Sequence, residues 1–164
     1  MTRALWVLLA VVIFGAAVLL VACGDAQTQR SAMDHGRMDM ATTINGAAPP
    51  GTPTLAFKST ELSLQPSAPG FETAIIETVR KAGTRAPIHT HDFGGTTCVV
   101  TGEMTLYLEG AEPARAPAGT CYFMPPGRLM TGVNSGTQTA VMHDIFTVPV
   151  GDPTWTVHEA GFGQ

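Results

Sequence analysis

The chain has 164 residues, 45% of them hydrophobic and 13% charged, with a net charge of −4 at neutral pH. That length suits one folded domain, and the apolar content is too high for a disordered chain. The mild acidity and the lack of a basic patch exclude nucleic acid as a partner, while 18 Gly and 12 Pro suit a strand-rich fold with many turns.

The N-terminus reads as an export or anchoring segment. Arg3 is followed by an uninterrupted apolar run from Ala4 to Ala22, long for a signal and just long enough to span a bilayer. Its end, Leu20-Val21-Ala22-Cys23, resembles a bacterial lipobox, in which small residues precede a cysteine that becomes lipidated. Residues 1–22 are then a lipoprotein signal peptide, or else a transmembrane anchor. In the lipoprotein reading Cys23 is the new N-terminus and carries acyl chains such as palmitate, which hold the membrane by burying CH₂ groups. Either reading expects a bacterial membrane protein with its body on the extracytoplasmic face.

Residues 23–53 show no period of 2 or 3.6 and end in a run rich in Pro and Ala, which is the composition of a flexible tether. Within it, Met33, His35, Met38 and Met40 lie close together. They resemble the Met/His-rich stretches of periplasmic copper-handling proteins, and ordinary low-complexity linker is the competing reading.

From residue 54 to about 160 the pattern changes to short strands. Phe71–Arg80 is rich in β-branched residues, and Pro87–His91 reads as a strand whose alternation puts His89 and His91 on one face. Thr96–Thr101, Met104–Leu108, Thr120–Met124, Leu129–Val133 and Thr139–Val148 follow, separated by Gly- and Pro-containing turns. A short strand lies within 112–118. The stretch 154–158 is expected either to pair on a sheet edge or to cover a pocket mouth. Closely spaced strands with no helical period after Ala22 predict an all-β sandwich or barrel.

Two spaced residue sets sharpen that expectation. Gly83, His89, His91 and Gly102 form the first; Gly119, Pro125, Gly127 and Asn134 form the second. Their spacing resembles the two motifs of the cupin superfamily, over roughly residues 70–149. The resemblance implies a double-stranded β-helix, or jelly-roll barrel, often holding a divalent metal on His, His, Glu and His. Carried over position by position, His89 and His91 match the first two ligands, Gly95 stands where the Glu belongs, and Met130 where the third His belongs. The resemblance also makes the segments around Cys98 and Cys121 neighbouring strands. In an exported chain that favours a disulfide over two buried thiols or a thiolate metal site.

A set of two imidazoles and a thioether, without a carboxylate, suits a soft ion such as Cu(I) better than a hard dication, with Fe, Mn or Zn as the alternative cofactors. His143 on the last long strand is a candidate third imidazole if it points inward, and a surface histidine if it does not. The leading expectation is an extracytoplasmic barrel that binds a small molecule or a soft metal ion. The alternatives are a metal-dependent cupin enzyme of the oxygenase or isomerase type and a structural interaction barrel. No catalytic residue set stands out, and a homodimer remains open.

Overall fold

The computed structural model describes residues 40–162, so the apolar run 4–22, Cys23, Met33, His35 and Met38 lie outside the described residues. Among the described residues there are twelve strands and no helix. In chain order they are β1 (Thr52–Pro53), β2 (Lys58–Ala68), β3 (Phe71–Arg80), β4 (Thr84–Arg85), β5 (His89–Thr90), β6 (Gly95–Thr101), β7 (Glu103–Leu108), β8 (Ala114–Pro117), β9 (Cys121–Met124), β10 (Met130–Val133), β11 (Ala140–Pro149) and β12 (Thr156–Val157). The all-β expectation holds.

One sheet runs β2-β3-β11-β6-β9. The other runs β1-β4-β10-β5-β12, with β7 on β10 and β8 on β7. The sheets share a core: Leu106 and Met130 of one touch Met124, Phe146 and Val148 of the other. Strand β11 sits centrally, paired along its whole length with β3 and along half of it with β6. On β11 the residues at 140, 142, 146 and 148 are buried, as alternation across a pleated sheet demands.

The motif residues hold turns. Gly102 has φ +76°, and a Cβ there would meet the Ala140 Cα at 2.9 Å, so only glycine fits between β6 and β7. Asn134 is fully buried. Its amide donates to the carbonyls of Arg80 and Gln138, and its side-chain oxygen accepts from Gly136 N–H. It thereby ties the end of β3 to the β10–β11 connection.

The folded domain starts earlier than composition suggests, which corrects the tether boundary expected at residue 53. Ala41 N–H donates to His158 O, Ile44 is buried, and β1 pairs in parallel with β4. Asn45 donates to the carbonyls of Leu108 and Ala111 and accepts from Gly110 N–H. These contacts satisfy backbone groups at the β7–β8 turn, so 41–53 is a strap on the barrel. Met40, at its start, is about half exposed.

Cys98 and Cys121 face each other in register on β6 and β9 and are joined as a disulfide. The bridge closes a loop of 23 residues, which in the chain-entropy description is worth about 3 kcal/mol. Reduction should therefore lower the unfolding free energy by about that amount. Denaturant titrations with and without a thiol reductant measure it.

Candidate functional site

The barrel holds a partly open cavity of about 460 Å³ lined from both sheets. His89 and His91 enter it from β5 and the residue just after it, on the same side, as the period of two requires. His89 Nδ1–H donates to Pro87 O at 2.7 Å, and His91 Nδ1–H donates to Thr154 O at 2.6 Å. A carbonyl only accepts, so in each neutral ring the proton sits on Nδ1 and the lone pair on Nε2. The two Nε2 atoms are 3.1 Å apart.

Burial, followed by the neighbouring His91, pushes His89 down to about 3. Burial also lowers His91, while Thr154 O and Asp144 act the other way. With both rings neutral, two lone pairs face each other, and neither ring has a proton to share. A cation between them resolves that arrangement, and backbone carbonyls that fix the Nδ1–H tautomer are the usual support of a metal-binding imidazole. The pair therefore offers two nitrogen donors, and a metal ion there would need a further ligand from the cavity wall.

Met130 pairs with His89 in the sheet, is fully buried and lines the same cavity. His143 does not. It lies outside the cavity lining, with its side chain 38% exposed and its Nε2 3.9 Å from the Glu77 carboxylate on the neighbouring strand. The expectation that it supplies a third imidazole is corrected by register. Position 143 falls between the inward residues 142 and 144, so its side chain leaves by the other face. Among the described residues no three His, Cys, Asp or Glu side chains converge at metal-binding distance.

The inward neighbour of His143 is Asp144, so the cavity has a carboxyl after all, which corrects the reading of a carboxylate-free site. Asp144 accepts from Thr97 Oγ1–H at 2.5 Å and from Thr78 Oγ1–H at 2.7 Å. Burial holds its carboxyl above the ordinary range, and the two hydroxyls, His91 and Arg80 pull it back. Tyr122, also on the cavity wall, has its phenol raised by burial and by Asp144. Arg80 reaches the same wall and donates to Thr54 O at 3.1 Å. Apart from Ser59 and Thr154 the rest of the lining is apolar, with methionines prominent.

Gly95, at the position of the missing carboxylate, faces the interior. A Cβ there would meet the Phe146 ring at 2.5 and 2.6 Å. That ring is stacked on His91, with centroids 4.7 Å apart and planes at 27°.

The C-terminal stretch both pairs and covers. β12 pairs with β5, Thr154 and Trp155 line the cavity, and the indole meets His89 edge-on at 5.1 Å between centroids. A buried ion pair fastens this segment: Arg85 Nη1 and Nη2 donate to the two Glu159 oxygens at 2.6 and 2.7 Å, and Ile88 N–H adds a third bond at 2.8 Å. Arg85 Nη1 also donates to Ala86 O. Sequence reading missed Asp144, Phe146, Arg85 and Glu159. Alternation along 140–148 puts Asp144 and Phe146 on one face, and only the pairing of β11 with β3 and β6 makes that face the inward one.

No family model and no curated protein matches the chain. Solved structures do. A double-stranded β-helix protein from Klebsiella pneumoniae aligns over 73% of this chain and 91% of its own, at 16% identity and a TM-score of 0.50. A cupin 2 conserved barrel protein from Salinispora arenicola aligns over 54% of this chain and 72% of its own, at 24% identity and a TM-score of 0.44. The chain spans about half, 48%, of a structure from Acidithiobacillus ferrooxidans, covering 44% of itself at 22% identity and a TM-score of 0.40.

Proposed function

We propose, from a domain that has the cupin double-stranded β-helix fold, that the protein is an extracytoplasmic binding protein whose barrel holds a soft metal ion of the Cu(I) class beside a pocket for a small molecule. One observation carries this reading: the two Nε2 lone pairs of His89 and His91, 3.1 Å apart on buried rings in the cavity, with both Nδ1–H groups committed to backbone carbonyls. Met130 is the third donor we assign, because a thioether completes a neutral, soft set. A bound ion would supply electrophilic or redox chemistry. The chain's own part is to orient the two rings through Pro87 and Thr154 and to pack them against Trp155 and Phe146.

Membrane attachment through the apolar run Ala4–Ala22 or through acyl chains on Cys23 belongs to the same proposal. Its support is the lipobox-like ending and a disulfide suited to an oxidising compartment. Met33, His35, Met38 and Met40 would then be a second copper-holding stretch outside the barrel.

The test is titration of the full chain with Cu(I), Zn(II) and Mn(II). One equivalent of Cu(I) should bind to the barrel, and His89→Ala or His91→Ala should weaken it by about 100-fold or more. A variant carrying Met33→Leu, His35→Ala, Met38→Leu and Met40→Leu should keep that equivalent. Cu(I) binding no tighter than millimolar would end the reading.

One observation favours a second reading, a metal-dependent enzyme: Asp144 places a buried carboxyl on the same cavity as the histidine pair. Stoichiometric iron or manganese in the purified protein would select it.

A further inference from the structure

Position 95 and position 146 meet across adjacent strands of one sheet. Gly95 opens β6 on the cavity side, and β11 brings Phe146 directly against it, with the would-be Cβ at 2.5 Å from Cδ1 and 2.6 Å from Cε1. Ile145 O stands 3.1 Å from the same point, so backbone closes another side. A contact of 2.5 Å is shorter than any carbon pair tolerates, so a side chain at 95 requires the ring to leave. The ring is not free to leave. It is buried, packs with Leu106, Met124 and Met130, and stacks on His91. Among the described residues, Asp144 is the one carboxyl on the cavity wall, and it lies two residues before Phe146 on the same strand, held by the hydroxyls of Thr97 and Thr78.

We infer that Phe146 is the specificity-determining residue of the histidine pair: its ring fills the space through which a carboxylate on β6 would reach the two Nε2 atoms, and so holds the site to neutral donors. An anionic oxygen from β6 is thereby kept away, which favours soft ions over hard dications, while the carboxyl of Asp144 is engaged by the hydroxyls of Thr97 and Thr78. This inference rests on the metal reading above. It goes beyond that reading in naming the residue that sets which ions are accepted.

The test compares the wild type, Gly95→Glu, Phe146→Ala and the double variant, reading Mn(II) binding by the loss of the free-ion electron paramagnetic resonance signal and folding by thermal melts. The double variant should bind Mn(II) about 100-fold more tightly than the wild type, because it gains a carboxylate and the room to use it. Neither single variant should gain. Gly95→Glu alone should melt well below the wild type, and Phe146→Ala added to it should recover part of the loss. That recovery decides the steric claim even if the single variant folds poorly. Gly95→Glu binding Mn(II) as tightly as the double variant would overturn the inference, and so would a folded double variant with no gain. Wild-type protein that binds no metal would count against the soft-metal reading, while the Mn(II) gain of the double variant would still decide the role of Phe146.

Discussion

Replacing Glu159 by Ala should cost the domain roughly 3–5 kcal/mol, because it leaves the Arg85 guanidinium buried without its counter-ion. The melting temperature should fall by about 10 °C or more. Arg85 Nε already lacks a protein partner, so without Glu159 the guanidinium keeps only the bond from Nη1 to Ala86 O. Arg85→Met with Glu159→Leu should recover much of the loss, since an apolar pair of similar volume carries no desolvation penalty. The effect reaches the site. Glu159 fastens the segment whose Thr154 carbonyl fixes His91, so Glu159→Ala should also weaken metal binding by about 10-fold or more. The pair should leave a pH signature as well. Arg85, and then Ile88 N–H, hold the Glu159 carboxyl below its ordinary range. The unfolded chain therefore binds its proton more readily than the folded one. The stabilisation is complete above the ordinary glutamate value and is lost as pH falls through the lowered one. Melting curves between pH 6 and 3 should show a steeper acid loss for the wild type than for Glu159→Gln. Equal slopes would mean that the pair does not contribute.

What the sequence discloses follows from how local each feature is. Gly83, Gly102, Gly119, Pro125 and Gly127 stand at turns of a few residues, so their spacing points to the fold, and Asn134 closes its own turn besides reaching back to Arg80. His89 and His91 share a face by the period of two, which needs no partner strand. Asp144 and His143 are different. Which of the two points inward depends on how β11 pairs with β3 and β6, and a slip of one residue exchanges them. The Gly95–Phe146 contact joins strands whose pairing no local pattern states, so the glycine reads as a bare loss of a ligand when the space is in fact taken by a ring. Residues 41–53 have a linker's composition and yet are placed by one buried Ile44 and one Asn45 side chain, whose partners lie more than 60 residues away. The C-terminal latch has the same character, since Arg85 and Glu159 are 74 residues apart.

The second large effect expected is thermal stabilisation by the ion itself. The two Nε2 lone pairs face each other at 3.1 Å in a buried site, and both ring protons are committed to backbone carbonyls. Buried acceptors without partners cost free energy that a bound cation recovers. Metal that binds only the folded chain adds about 2.7 kcal/mol at a free concentration near 100 times its dissociation constant. For a domain of this size that corresponds to a rise of about 10 °C in melting temperature. Chelator-treated protein reloaded with Cu(I) should show this rise, and it should grow with the logarithm of the free ion. His89→Ala should abolish it, because a single imidazole with Met130 is a poor chelate. Phe146→Ala should melt lower in both states yet keep the increment, since the ring packs the core without donating to the ion. An increment that survives His89→Ala would place the ion elsewhere on the chain, with Met33, His35, Met38 and Met40 the first residues to replace. The same scan with Mn(II) should leave the wild type unmoved, because every donor that the histidine pair and Met130 offer is neutral.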